Sequence, residues 1–533
     1  MQAKQYRIVA IIVLSLSSLR LIGTLTSLAK NDPFPLYTSI YPYDFLAQRE
    51  KIEGFYKGGE IYEEDRFRLS ISIFRQSARC ANDIFRRQTE IGNLPEGFGL
   101  NFSALFFDPV MARKLATVLN IPTQGATCAP IFGLAQASSD TEQSASNTEI
   151  CCFEALQDMA NQDRNREYGV VSIPIFYRKY GVRFQGDFLL IDTCFDAVGL
   201  TVQAGISDVR QTVSEFIDLT CTASAIACPA HQEPSSLAGC TPNGPEGSGT
   251  CCNQPCCIGF SCDCKKLISD QVIKQRTKVG QLLGYDFCNT YNEVGPEDLR
   301  IELFWRHLYD LNPDNLEDWP RVLFVPFAKA GVIVPMTKKV SASQVFGVPL
   351  DNNGHAGAGA SLGFSLNFLD TIDIDVEGGF THFFKQEYCN YPLTTSTFES
   401  GIFPYRADYK LHPGTNWHVV LGMHAYHFID RLSVWVQYVQ VNHDNDHIEL
   451  CRSLIPEDSI YFPSVANQKV GNGQDFLVEA AECVTKWESH MVNVGFTYDI
   501  SPYVIIGALW QAPIKRRNAY RSSTILLSAS MTY

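Results

Sequence analysis

In the segment Ile372-Asp373-Ile374-Asp375-Val376-Glu377, three carboxylates alternate with apolar side chains. At period two they share one face of a strand, and such a row attracts cations provided that water or counter-charges compensate its burial. A second group comprises Cys221, Cys228, Cys240, Cys251, Cys252, Cys256, Cys257, Cys262 and Cys264, in a Gly/Pro/Ser-rich stretch, with Cys288 beyond it. Cysteines at this density supply either disulfides or a thiolate metal cluster. Nine is an odd number, so at least one must pair outside the stretch, and Cys288 is a candidate. His443-Asp444-Asn445-Asp446-His447 could hold a divalent ion, but that composition is ordinary for a solvated loop. There is no Gly-x-Ser-x-Gly elbow, His-Glu-x-x-His pair, phosphate-binding loop or dinucleotide fingerprint. The sequence therefore offers no catalytic residue, no cofactor and no resident metal.

The acidic row must be held by strands, and the surrounding sequence alternates accordingly. Ala360, Leu362, Phe364, Leu366 and Phe368 oppose Ser361, Gly363, Ser365 and Asn367. Leu299, Ile301, Leu303 and Trp305 oppose Arg300, Glu302 and Arg306. Tight Asp-containing turns at Phe368-Leu369-Asp370, Phe428-Ile429-Asp430 and Tyr498-Asp499-Ile500 join strands at 357–368 and 371–384, 416–428 and 431–442, and 486–498 and 503–514. Between these hairpins lie long polar loops at 385–415 and 443–485, so the meander has one short-turned and one long-looped end. Further strands are expected at 66–78, 97–107, 169–178, 182–191, 198–208, 299–309, 321–334 and 520–533, with Arg178-Lys179-Tyr180-Gly181 as a turn. The sum is about fourteen strands, with twelve and sixteen as alternatives. Residues 109–168 form an insertion on the short-turned side or in the lumen, as a plug or as missed strands.

The last segment carries a resemblance. Ser523, Ile525, Leu527, Ala529, Met531 and Tyr533 fall on one face, and Ser522, Thr524, Leu526, Ser528, Ser530 and Thr532 on the other. An alternating segment that stops on an aromatic residue resembles the terminal strand of bacterial outer-membrane β-barrel proteins. That resemblance implies an all-β fold, a transmembrane antiparallel up-and-down barrel, and a bacterial outer membrane location. It also implies recognition of the C-terminal strand by the barrel assembly machinery. At the other terminus, Lys4 and Arg7 precede an apolar run from Ile8 to Leu19 and an exit at Ser27-Leu28-Ala29, the pattern of a signal peptide over 1–29. Residues 30–65 are expected in the periplasm or lumen, and 66–533 form the barrel. Its cysteine-rich extracellular loop spans 209–298.

In this topology Asp373, Asp375, Glu377, Arg66, Arg68, Arg183, His418 and His424 are expected to line a hydrated lumen. Trp417, Trp487, Trp510 and Tyr533 are expected to anchor the wall in outer-membrane lipid. The remaining cysteines, including Cys80, Cys389, Cys451 and Cys483, sit singly in loops as intramolecular staples or as links between neighbouring molecules. In that trait the chain loosely resembles cysteine-rich major outer-membrane porins. A net charge of −14 with no basic stripe excludes nucleic acid as a partner. No other apolar run approaches the roughly 20 residues of a spanning helix. The expected function is passive diffusion of small hydrophilic solutes or ions, the acidic row favouring cations. The alternatives are an adhesive or structural envelope protein working through its disulfide-rich loop, or a barrel similar to fatty-acid transporters that carries hydrophobic substrates, with residues 30–65 as a plug; a homo-oligomer or disulfide-linked neighbours are the candidate protein partners.

Overall fold

The computed structural model describes residues 67–83, 85–93, 100–101, 105, 109–119, 170–192, 196–218, 270–287, 290–311, 322–368, 372–395, 399, 401–429, 431–455, 476–501 and 503–532. Among these residues one fourteen-stranded antiparallel sheet dominates. Two of its members, Thr290–Pro296 and Tyr309–Asp310, are short flanking pieces. The other twelve follow the chain in order. They are β1 (Phe67–Ala78), β2 (Ile175–Asp192), β3 (Asp196–Val213), β4 (Leu299–His307), β5 (Val322–Val334) and β6 (Gly357–Phe368). β7 (Ile372–Phe383), β8 (Asn416–Ile429), β9 (Leu432–His443), β10 (Trp487–Ser501), β11 (Val504–Arg517) and β12 (Ser523–Thr532) complete the wall. Each pairs with its successor, and β12 pairs back with β1 from Arg68↔Thr532 to Ser77↔Ser523, which closes the barrel.

Twelve strands is one of the counts the alternation allowed, and the two surplus strands have identifiable causes. Arg178-Lys179-Tyr180-Gly181 is not a turn, because β2 runs straight through it with unbroken pairing to β1. Its glycine answers a packing demand: a Cβ at Gly181 would lie 2.3 Å from the Phe74 ring. Of the expected strand at 97–107, the described part holds only the two-residue Leu100–Asn101.

Removing both strands preserves the direction of everything downstream and moves the insertion. The connections 193–195, 369–371, 430–431 and 502–503 are short and lie at one end of the barrel. The connections 79–174, 214–298, 335–356, 384–415 and 444–486 lie at the other. The described part of the insertion, 109–119 with its helix α1 (Pro109–Val118), therefore belongs to the long-looped end.

The long connections share a hydrophobic core. Leu115 of α1, Val279 of α2 (Arg276–Leu283), Phe346, Tyr388, Tyr409 and Phe476 form one buried cluster. The same cluster includes Tyr177 and Val209, which point inward from β2 and β3, so it extends into the barrel mouth. A three-stranded sheet of Gln386–Pro392, Arg406–His412 and His447–Ser453 forms part of this cap. Burying each large apolar side chain contributes on the order of 1.5–3 kcal/mol. The described parts of these connections are thereby packed together over the long-looped end.

Of the cysteines, Cys80, Cys389, Cys451 and Cys483 are among the described residues, and all four are free thiols. None staples these loops to another of the four. Cys221, Cys228, Cys240, Cys251, Cys252, Cys256, Cys257, Cys262, Cys264 and Cys288 lie outside the described residues, as do Arg66, Tyr533 and residues 1–65.

Candidate functional site

Alternation places charge inside the wall on most strands. Arg68 on β1, Lys179, Arg183 and Asp187 on β2, Arg300, Glu302 and Arg306 on β4, and Lys329 on β5 all face inward and are buried. Asp373, Asp375 and Glu377 on β7 and His418 and His424 on β8 do the same. The acidic row is 5%, 2% and 1% exposed, so open bulk water does not compensate it. Neighbouring side chains do. Lys329 Nζ lies 3.4 Å and His418 Nε2 3.6 Å from the Glu377 carboxylate, and His424 Nε2 lies 3.0 Å from that of Asp375. The acidic row thus has basic side chains within reach on β5 and β8.

A second charged group, toward the outer end, fastens loop 335–356 into the mouth. Glu297 receives the Lys179 ammonium at 3.0 Å and an Arg183 guanidinium nitrogen at 3.1 Å. Arg300 Nη2 reaches both oxygens of Asp351 at 3.1 Å, and Lys179 donates to the Leu350 carbonyl. Asp298 is 2% exposed and accepts from the Met336 amide (3.0 Å), the Thr337 amide (3.2 Å) and hydroxyl (2.9 Å), and the Asn352 amide (3.2 Å) and side chain (2.6 Å). Both ends of the loop thus converge on one carboxylate. Glu297, Asp298 and Asp351 escaped the sequence reading because they lie in connections, where no alternation marks an inward face. Arg516 escaped it for another reason: a bulge opposite His490 and Met491 resets the parity of β11 and turns Arg516 inward, 2% exposed.

The outer surface has the opposite character. Ile71 and Ile73 of β1, Phe184 of β2, Leu362 of β6, Ile374 of β7, Leu421 of β8, Phe496 of β10 and Leu527 of β12 are exposed. Trp417 and Trp510 face outward toward the long-looped end, and Tyr498 and Tyr503 toward the short-turned end. A closed, even-numbered wall with an apolar exterior between aromatic girdles and a polar interior is suited to a bilayer. The chain is an outer-membrane-type transmembrane β-barrel. No helix among the described residues is long and apolar enough to cross a membrane.

No protein-family model and no curated protein sequence matches the barrel. Among solved structures, it is similar to an outer-membrane channel from Pseudomonas putida F1 at 6% identity and a TM-score of 0.41, over 90% of this chain and 99% of that one. The translocator domain of the autotransporter NalP from Neisseria meningitidis aligns at 7% identity and a TM-score of 0.28, over 95% of this chain and 100% of that one. The Pseudomonas putida toluene transporter TodX aligns at 10% identity and 0.24, over 68% and 71%. Likenesses of this strength do not assign a solute, and the reading of the barrel rests on its own geometry. It is channel-like, a closed wall around a polar lumen, and this architecture belongs to the bacterial outer membrane.

One of the expected lipid anchors is misplaced. Trp487 is 5% exposed and stacks on His443 at 5.5 Å inside the barrel. It shares parity with Asn493 and Thr497, both buried on the inner face, and that parity sets its direction whatever its height. His443 also pairs with Asp446 at 2.8 Å, so the histidine–aspartate segment is engaged in the fold at that point.

Loop 335–356 carries a titratable contact outside the strands. His355 Nδ1 lies 2.9 Å from the Phe384 carbonyl and its Nε2 2.8 Å from the Tyr388 hydroxyl. A carbonyl can only accept, so the neutral ring donates through Nδ1 and accepts through Nε2. Burial holds the His355 pKa below its usual value, opposed in part by the Phe384 carbonyl. The depressed value means that docking is fully stabilised above about pH 6.5 and loses stability as pH falls below it. Amide exchange across 335–356, corrected for its intrinsic rate, should therefore accelerate from about pH 7 to about pH 5. His355→Gln should flatten that dependence, and a slowing on acidification would refute it.

Proposed function

We propose that the barrel conducts small hydrophilic solutes or ions, with the cap and loop 335–356 restricting the aperture. The observation that supports this reading best is the charged inner wall. An apolar filling would hold a barrel together at least as well as buried ion pairs, whose desolvation cost can exceed their attraction. Charges retained on β1, β2, β4, β5, β7 and β8 are therefore better explained by passage of polar solutes than by support of the wall. Because the Lys329 ammonium pairs with Glu377, the preference for cations is expected to be smaller than three carboxylates alone would give. Liposome swelling with sugars of graded size tests the proposal: the smallest sugars should enter, with rates falling as size grows. No swelling, either in the native barrel or after release of loop 335–356, would overturn it.

A second reading, cross-linking between neighbouring molecules, is favoured by the free thiols. Cys389 and Cys451 are exposed on the two outer strands of the cap sheet, and Cys483 is exposed on α3 (Val478–Cys483). Thiols on a cell surface meet oxidants and one another. Envelopes alkylated before lysis should then show disulfide ladders on non-reducing gels that vanish when the three are replaced by Ser.

A further inference from the structure

We infer that the outer rim of β1, β2 and β3 carries a binding site for the phosphomonoester headgroup of a membrane lipid. The outward face of these strands changes character at one level. Ile73, Val182 and Ile206 lie side by side at the top of the apolar surface. The next outward positions are Arg75, Tyr180 and Asp208, then Ser77, Arg178 and Arg210, with Phe176 and Thr212 paired beyond them. Two residues along a strand advance about 7 Å.

The membrane boundary is placed independently by Trp510. It is outward-facing, pairs with Ile525, and donates to the Ser523 hydroxyl at 3.1 Å. Ile525 is paired in turn with Arg75, and Ser523 with Ser77. Trp510 and Tyr180 are outward-facing aromatic residues in the long-looped half of the wall, as an interfacial girdle has them. Arg178 and Arg210 then stand one step farther out, at the depth of lipid headgroups.

At that depth there is a cavity of about 590 Å³ lined by Arg79, Arg178, Arg210, Phe176, Thr212 and Glu90, among others. The Phe176 ring orders two of the cations, with the Arg178 guanidinium carbon 4.2 Å and that of Arg79 5.4 Å from its centroid. Arg178 Nε is buried with no hydrogen-bond partner. Against Arg75, Arg79, Arg178 and Arg210 stand Glu90 in the lining and Asp208 one level below, so cations predominate. Guanidinium forks match phosphate oxygens in geometry as well as charge, and the apolar surface below suits acyl chains. A headgroup phosphate joined to acyl chains satisfies both parts at once, which a free phosphate cannot.

The full-length barrel would be incorporated into phosphatidylcholine nanodiscs doped with diphosphorylated lipid A or with the same lipid after dephosphorylation. Lipid retained after detergent exchange would then be counted by native mass spectrometry. Retention of the phosphorylated lipid should exceed that of the dephosphorylated one roughly tenfold. R178Q/R210Q should abolish the difference, R178K/R210K should restore part of it, and R431Q at the opposite rim should leave it unchanged. Every variant should keep the heat-modifiable gel mobility of a closed barrel. Equal retention of both lipids, or full retention by R178Q/R210Q, would overturn the site. Competition by inorganic phosphate at the same concentration as lipid A would overturn the lipid as its ligand.

Discussion

Asp298→Ala is expected to release loop 335–356 and raise single-channel conductance several-fold while leaving the barrel closed. The native carboxylate gathers five hydrogen bonds from Met336, Thr337 and Asn352, which bracket the loop, and its own amide donates to Asp351 at 3.1 Å. Hydrogen bonds to an ionised acceptor are worth about 1.5–3 kcal/mol each, although members of one network do not add. A net loss of about 3 kcal/mol would enlarge the undocked population on the order of 100-fold. The Ala variant also leaves buried amides without an acceptor, whereas Asp298→Asn retains a carbonyl and should fall between it and the native chain. Protease added to intact cells should cut 335–356 faster in the Ala variant, and planar bilayers should show the larger conductance. Unchanged cleavage and conductance would mean that the loop is held by the cap alone.

Glu377→Gln is expected to be the most destabilising single change inside the wall. It removes the carboxylate facing a Lys329 ammonium that is 1% exposed, and Glu377 itself has no exposed side-chain surface. Breaking a buried ion pair costs about 3–5 kcal/mol, and replacing both partners by apolar residues of similar volume costs far less. The double variant Lys329→Met with Glu377→Leu should therefore recover most of the lost stability, read as the midpoint of heat-induced unfolding on gels. Selectivity should move with charge: the reversal potential of Glu377→Gln in a salt gradient should shift toward anions. A single variant as stable as the native barrel would show that this pair does not hold β5 to β7 through the intervening β6.

The alternation of side chains disclosed the barrel and its two faces, because period two is a local property that lipid on one side and polar groups on the other enforce. Asp373, Asp375, Glu377, His418 and His424 were placed on the inner face by that rule. Two errors came from reading a residue type in place of its parity. Gly181 suggests a turn by its type, although it leaves room for Phe74 inside a continuous strand. Trp487 suggests an anchor by its height on β10, although its parity directs it inward. The cap and the docking of loop 335–356 are illegible in the sequence for a different reason. Their core joins Leu115, Val279, Tyr388 and Phe476, which are far apart in the chain and belong to segments without a repeating pattern. Only the closed barrel, by bringing its long connections to one end, makes them neighbours.

The seam between β1 and β12 has a kinetic meaning. It joins Ser70 to Ser530 and Ile71 to Ala529, so the final step of closure brings together segments separated by nearly the whole described chain. Contacts of such separation form late, because the entropy of the intervening chain must be overcome first. Until they form, both edge strands present unpaired backbone to any strand they meet. A chain stalled before β12 is made therefore cannot become a smaller barrel; it remains an open sheet prone to pairing with its neighbours. Truncation at the C-terminus should consequently cost yield through aggregation far more steeply than an equal deletion within an outer loop.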